Sequence, residues 1–309
     1  MRRLATHTFV LVILAAVVAT LAPAALAGPP PLPLHTLEGY GGGPLTPMAY
    51  LVNPSEDPDR VFGKPAMAVS FAELGTKHLT GLSVTETIYG RIELGYAGIH
   101  NELGSLDATI RDFTGVDLRG PDMWLHNFNL RLLALKENEH EIAGIPLPAV
   151  TVGFHFKYNN KIAWMNEQLG GALNAVGYRR PNSEEFTFSA SKTFPEVFNR
   201  PLVVTAGMRL SEAGLVGLLG FSDSYRAGFE GSVAYMIHPH VALIYDYRQK
   251  SNPYTTIPGL LNGEDDWHAL CSAFILNDHT TFAVGWGHFG MLANETADGV
   301  WLVQLKHEF

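Results

Sequence analysis

The sequence predicts an all-β protein: an antiparallel transmembrane β-barrel of about twelve strands, with long external loops and short periplasmic turns. Three observations predict this fold. The amino terminus has the features of an export signal, most of the chain consists of short segments in which apolar and polar residues alternate, and the last segment ends on an aromatic residue. Because successive side chains of a strand point to opposite faces, such segments have one apolar and one polar surface.

The first 27 residues have the features of a cleaved signal peptide. Two arginines follow Met1, residues 9–21 form an apolar run, and Ala25 and Ala27 occupy the positions that signal peptidase requires to be small. The apolar run is shorter than the roughly 20 residues that a membrane-spanning helix needs. We therefore expect cleavage after Ala27 and export to the outer membrane of a bacterium.

The mature chain divides into a lead segment and a barrel. Residues 28–64 are rich in glycine and proline, and we expect them to lie in the periplasm or inside the lumen. Residues 65–309 contain the alternating segments, most of about ten residues, the length with which a tilted strand crosses a bilayer. The predicted strands are residues 65–73, 79–86, 91–98, 124–134, 149–158, 185–193, 202–209, 229–237, 241–248, 266–276, 281–287 and 301–309.

The connections between these strands are mostly long on one side of the predicted barrel and tight on the other. Residues 159–183 and 251–265 are examples of long connections, whereas residues 238–239 and 277–278 are tight turns. Long loops outside the cell and short turns in the periplasm are typical of outer-membrane barrels. An even number of strands also places both ends of the barrel on the periplasmic side.

The two faces of the predicted strands differ in chemistry. One face is rich in Phe, Val, Leu and Tyr and is predicted to contact lipid. The other carries charged residues into the lumen, namely Glu93, Arg131, Lys157, Arg209, Glu230, Asp246 and Arg248. Two interpretations stay open: a constriction that selects solutes, or a paired network that fills a closed interior. Unpaired charges would cost several kcal/mol each, so partners or water must be present.

The ends of the strands carry further signals. Aromatic residues suited to interfacial girdles, or to ordinary packing, are Trp124, Tyr158, Tyr245, Tyr247 and Trp301. In the closing strand Trp301, Val303, Leu305 and the terminal Phe309 share one face. We predict that these four residues form the assembly signal read by the barrel-assembly machinery. Outer-membrane lipid and this machinery are therefore the expected partners, with a small solute as the expected ligand.

Other classes of site are weakly indicated. The net charge of −9 offers no basic stripe to nucleic acid, and the single cysteine, Cys271, excludes an internal disulfide. Residues 39–43 are glycine-rich but no GK[ST] sequence follows, so a phosphate loop is not predicted. The acidic triplet 264–266 lacks the spaced ligands of a calcium loop. We predict no metal, no cofactor and no catalytic residue.

Several stretches resemble an uncharacterised bacterial family, the domain-of-unknown-function family numbered 3034. The matching pieces are EGYGGGPLTP at 38–47, YGRIEL at 89–94, SASKTF at 189–194, GLLGF at 217–221, EGSVAY at 230–235, YDYR at 245–248 and EDDW at 264–267. The resemblance spans nearly all of the mature chain and implies a secreted, barrel-like protein. The chain departs from the family in the loop at 161–180 and in its polar ending, KHEF. The resemblance implies no activity.

The sequence predicts a porin-like passive channel for small solutes. Two alternatives stay open: a non-conducting barrel with a structural, adhesive or lipid-handling role, and a membrane-embedded hydrolase. A barrel of twelve strands is intermediate in size between small barrels filled by side chains and large open porins. Barrel size alone therefore permits either an open or a plugged lumen. Residues 161–177 have partial helical spacing around Gly170 and Gly171, which indicates either a short helix over the mouth or a disordered external loop.

Overall fold

The protein forms one closed antiparallel barrel of twelve strands. The computed structural model describes residues 33–55, 57 and 59–309. The predicted signal peptide, residues 1–27, lies outside the described residues, as do residues 28–32 of the lead segment. The predicted barrel and its strand number are confirmed.

Each strand of the barrel pairs with its sequence neighbours, and the last strand closes the ring on the first. The strands are β1 Ala66–Leu74, β2 Lys77–Ile88, β3 Ile92–Glu102, β4 Met123–Leu135, β5 Ala149–Asn159, β6 Asn182–Val197, β7 Arg200–Ala213, β8 Phe221–His238, β9 Val241–Arg248, β10 Trp267–Asn277, β11 Thr280–His288 and β12 Val300–Glu308. Closure leaves the barrel wall without an open sheet edge, which a bilayer requires.

Strand β8 shows the largest difference from the predicted boundaries, because it begins at Phe221 rather than at residue 229. Its first half pairs with β7, for example Arg226 with Ser211. Residues 223–227 are exposed, and most of them are polar. This part of the strand lies at the external end, where neither face needs to be apolar, so the alternation that signals a strand is missing.

The barrel has its polar residues inside and its apolar residues outside. Arg131 points into the lumen and is 0% exposed, whereas Phe128 on the same strand is 51% exposed on the outer surface. An apolar outer band on strands of this length is the arrangement of a bilayer-spanning barrel of the outer-membrane class. Among the described residues, no helix has the length and apolar character needed to cross a membrane.

The two ends of the barrel differ as predicted. The external end carries the helices α1 Ser105–Thr114, α2 Ile162–Gln168 and α3 Ala172–Val176, together with the 3₁₀ turn Leu215–Gly217 and the hairpin of Gly290–Leu292 with Glu295–Ala297. The residues between α2 and α3, Gly170 and Gly171, both have positive φ, which explains the break in the helical pattern. The loop at 161–180 therefore contains two short helices, in agreement with the first of its two sequence-based interpretations.

The segment before the first strand occupies the lumen. Leu34–His35 and Gly41–Gly42 form a small antiparallel hairpin, and nearly all residues from 33 to 52 are buried inside the barrel. The chain then leaves through the periplasmic end and reaches β1. Residues 33–52 are called the plug below.

We expect deletion of Phe309 to reduce the amount of assembled barrel. The backbone N–H of Phe309 donates to Pro65 O at 3.0 Å, and its ring packs edge-on against His307 at 5.0 Å, where the closing strand meets the first strand. The measurement is the heat-modifiable, outer-membrane fraction of the expressed protein. The Phe198→Ala variant is the control, because Phe198 is 87% exposed on a periplasmic turn. Unchanged levels after the deletion would contradict the assembly-signal prediction.

Candidate functional site: a plugged lumen below an apolar chamber

The plug is attached to the wall mainly through its backbone. Glu93 of β3 accepts hydrogen bonds from the N–H groups of Gly41 at 3.0 Å and Val52 at 2.7 Å. Arg131 of β4 pairs with Glu93 at 2.9 Å and donates to the carbonyl oxygens of Gly41 and Met48. This buried ion pair therefore supplies hydrogen-bond partners to backbone groups at three positions of the plug, Gly41, Met48 and Val52.

Glu38, at the tip of the plug, forms ion pairs with cations on three strands of the wall. Its carboxylate pairs with Lys157 of β5, with Arg248 of β9 at 2.8 Å and with Arg209 of β7 at 3.4 Å. It also accepts the Tyr40 hydroxyl at 2.7 Å. All of these groups are buried, so the plug supplies a counter-ion that the wall cations need.

Two further carboxylates complete this network. Glu185 of β6 pairs with Lys157 at 2.9 Å and with Arg209 at 2.7 Å. Glu230 of β8 pairs with Arg209 at 3.1 Å. The lumen charges at this level thus form one connected set that includes Glu38, the carboxylate at the tip of the plug.

Asp246 of β9 holds the second half of the plug. Its Oδ2 accepts the N–H of Leu45 at 2.7 Å and of Thr46 at 3.3 Å. A side chain at position 43 would collide with this carboxylate, since a Cβ there would lie 2.3 Å from Asp246 Oδ1. Gly39 has φ +83°, and a Cβ there would lie 2.6 Å from Ala97. The glycine-rich motif therefore permits a tight backbone path past the wall.

All seven residues that the sequence predicts for the lumen lie inside the barrel and are buried. Six of them hydrogen-bond or ion-pair with the plug: Glu93, Arg131, Lys157, Arg209, Asp246 and Arg248. Glu230 reaches it through Arg209. Their role in lining a conducting pore stays a prediction, because the lumen is occupied in this structure.

Glu38, Glu185 and Lys306 belong to the same interior but were missing from the sequence-based set. Lys306 donates to Pro33 O and pairs with Glu308. Two sequence signals point to Glu38. It is the only Asp, Glu, Lys or Arg between residues 28 and 55, and the predicted lumen set has four cations against three carboxylates. The missing counter-ion therefore had one candidate between residues 28 and 55 of the lead segment.

The wall of the lumen has more polar groups than the plug satisfies. Inward-facing, buried polar residues are Ser70, Ser83, Thr85, Thr87, Asn127, Asn129, Thr151, Thr187, Ser189, Ser191, Thr205, Ser232, Thr281 and Gln304. Several bind the plug, for example Ser191, whose Oγ accepts the Ala49 N–H at 2.8 Å. Others, including the side chains of Asn127, Ser232 and Thr281, have no hydrogen-bond partner in the part of the chain that the structure describes.

Above the charged network, the external end of the barrel is apolar. The external ends of the strands, the helices of the loops and the 3₁₀ turn enclose a chamber built mainly from Leu, Ile, Met and aromatic side chains. Two cavities lie in it: an inner one of about 50 Å³, with the plug residues Leu37, Pro44 and Leu45 in its lining, and an outer one of about 90 Å³ under α1, α2 and α3. Leu106 and Leu219 line both.

The loops that cover this chamber are held by specific polar contacts. Tyr254 donates to Leu219 O at 3.0 Å, and burial raises the pKa of its hydroxyl, which keeps it protonated. Lys250 pairs with Glu264 at 3.0 Å; burial lowers its pKa, although Glu264 acts in the opposite direction. These contacts connect the long loop before β10 to the 3₁₀ turn, whose Leu215 N–H donates to Glu264 at 2.9 Å.

The acidic triplet at 264–266 is structural in this arrangement. Glu264 binds Lys250, Asp265 accepts the Met291 N–H at 2.9 Å, and Asp266 accepts the Tyr247 hydroxyl at 2.6 Å. The three carboxylates thus hold different parts of the external end. Among the described residues, no group of three or more His, Cys, Asp and Glu side chains converges as a metal site would require.

The chain matches one family model and is similar to several solved structures. The family model described as "Protein of unknown function (DUF3034)" matches residues 33–305. No curated protein matches the sequence. Solved structures that are similar include the KdgM porin in complex with disordered oligogalacturonate (8% identity, TM-score 0.47, covering 79% of this chain and 99% of that chain). The NanC porin has the same identity and TM-score, and the match covers 79% of this chain and 98% of that chain. The outer membrane protein Omp33 of Acinetobacter baumannii has 6% identity and a TM-score of 0.41, and the match covers 81% of this chain and 99% of that chain.

Proposed function

The chain belongs to the DUF3034 family, whose description assigns no activity, and from the geometry of its lumen we propose that it is a channel for small solutes that the plug keeps closed. The proposal places the mature chain, after removal of residues 1–27, in a bacterial outer membrane. It retains the porin-like interpretation of the sequence and adds a closed resting state. Opening requires the plug to leave its seat or to rearrange within it.

The observation that supports this proposal is the polar wall behind the plug. An interior that only had to be filled would be at least as stable with packed apolar side chains, because buried ion pairs seldom stabilise more than hydrophobic residues of similar volume. Here the wall is lined with hydroxyl and amide groups, and some of them have no hydrogen-bond partner among residues 33–55, 57 and 59–309. Such a wall suits a lumen that is filled with water when the plug is displaced.

The contacts between plug and wall are mostly polar, so water can replace them when the plug leaves the lumen. Hydrogen bonds and ion pairs hold most of the plug. A smaller apolar contact joins Leu34 and Met48 to wall residues near the periplasmic end, such as Ala242 and Ala273. Hydrogen bonds to charged groups contribute roughly 1.5–3 kcal/mol each, so the seated plug is stable at rest. Its polar groups would find water after displacement, which an apolar core segment could not do.

The hydrolase alternative has little support in the geometry. Ser83 hydrogen-bonds His35 at 2.8 Å, but the other ring nitrogen of His35 meets Thr85 at 3.0 Å rather than a carboxylate. Both Ser83 and His35 are buried between plug and wall. A lipid or ester substrate would have no access to this pair.

We expect the full mature chain to be closed for most of a single-channel recording and a variant without residues 33–52 to conduct steadily. In the plug-deleted barrel, Arg248→Ala should shift the reversal potential towards cation selectivity, because it removes a positive charge from the lumen. Arg111→Ala is the control, since Arg111 lies on α1 outside the barrel wall.

Heat-modifiability of each variant shows that the barrel has folded before its conductance is recorded. A folded but silent plug-deleted barrel would contradict the channel and favour the non-conducting alternative. Equal conductance of the full chain and the deletion variant would contradict closure by the plug.

A further inference from the structure

We propose that the apolar chamber at the external end is a binding site for a small, uncharged aromatic molecule. The site goes beyond the proposed channel and does not depend on it, because binding is measured with the plug in place. Three observations support it: the volume of the two adjoining cavities, their apolar lining, and the pairing of the charged groups at their edge.

The lining of the chamber is suited to an apolar occupant. Among the described residues, no charged side chain lines the outer cavity, which is surrounded by residues such as Ile110, Met165, Leu173 and Tyr254. Flat aromatic rings pack well against thioether and aromatic side chains. A water molecule needs roughly 10–15 Å³ of such space, so a cavity of about 90 Å³ holds several non-hydrogen atoms, enough for a single aromatic ring.

The charged groups at the edge of the inner cavity are already paired. Arg248 binds Glu38 at 2.8 Å, and Lys77 binds Glu295 at 2.6 Å and Asn294 at 2.9 Å. An anionic or cationic ligand would therefore find no free counter-ion, and its charge would lose hydration in apolar surroundings. This arrangement selects against charged solutes.

Trp267 places an aromatic side chain in the lining of the inner cavity. Its ring stacks on Phe289, which lines the same cavity, with centroids 4.4 Å apart and planes at 5°. Lys250 lies over the same ring at 4.6 Å from its centroid. The stacked pair offers an aromatic ligand rigid rings to pack against.

The test measures binding of three related probes to the full mature chain in lipid nanodiscs, where no detergent competes for the chamber. The probes are ethylbenzene, acetophenone and benzoate, which share an aromatic ring but differ in acceptor and charge. We expect saturable calorimetric binding of ethylbenzene and acetophenone and none of benzoate. Absence of binding by both neutral probes, or equal binding of benzoate, would overturn the site.

Variants locate the bound probe. Leu106→Trp should fill the junction of the two cavities and abolish binding, and Leu173→Trp is a second filling variant if the first does not fold. Phe113→Trp, on the same helix as Leu106 but 55% exposed, is the control and should bind as the original chain does. Unchanged binding in both filling variants would overturn the placement of the ligand.

Discussion

A Glu38→Ala variant is expected to lose about 3–5 kcal/mol of its free energy of unfolding and to release the plug from the lumen. The change removes the carboxylate shared by Lys157, Arg209 and Arg248, all of them buried. Glu185 and Glu230 remain, but they then face more positive charge than they can neutralise. The stability is measured by denaturant unfolding of the folded barrel, and release of the plug by the appearance of single-channel conductance.

Two variants control for this effect. Glu38→Gln keeps the size of the side chain and part of its hydrogen bonding, so its loss of stability should be smaller but still clear. Glu139→Gln removes a carboxylate that pairs with Arg91 at 2.5 Å on the surface, and its effect should be small because solvent screens exposed pairs. If Glu38→Ala is as stable and as closed as the original chain, the network does not hold the plug.

A Leu130→Arg variant is expected to destabilise the barrel by about 2–4 kcal/mol and to reduce its assembly. Leu130 lies in the middle of β4, points outward with 44% exposure, and has Leu94 and Phe154 as its neighbours on the adjacent strands. A guanidinium group at this depth would replace apolar contact with lipid hydrocarbon. The heat-modifiable fraction and denaturant unfolding in lipid measure the change.

The matched control is Ile145→Arg, the same kind of substitution on an exposed apolar residue. Ile145 is 69% exposed on the small periplasmic hairpin, outside the strands of the barrel wall. We expect this variant to assemble as the original chain does. Equal tolerance of both changes would show that the outward face of β4 does not contact the bilayer core.

The architecture was accessible from the sequence because the wall is built from local patterns. In β5, for example, Val152, Phe154 and Phe156 alternate with Thr151, Gly153 and His155. The length of the strand, and the face to which each of its side chains points, follow from this alternation. The lengths of the loops and turns then indicated the order of the strands and which end of the barrel faces outside the cell. The external half of β8 was missed because it carries no alternation.

The occupied lumen could not be derived in the same way. Residues 33–52 have no periodicity, and the sequence allowed them to lie in the periplasm as well as in the barrel. Likewise, Leu106, Leu219 and Trp267 lie far apart in the chain and become one chamber only when α1, the 3₁₀ turn and β10 meet at the external end.

By itself, then, the sequence determined a membrane barrel of about twelve strands and seven of the charged residues of its interior. It could do so because the face to which a strand side chain points follows from the alternation of neighbouring residues. Only the tertiary structure decided that Glu38 pairs with three wall cations, that the plug occupies the lumen and that an apolar chamber lies above it. Those features depend on contacts between segments distant in the chain, and pairing of buried charges is set by three-dimensional proximity rather than by local pattern.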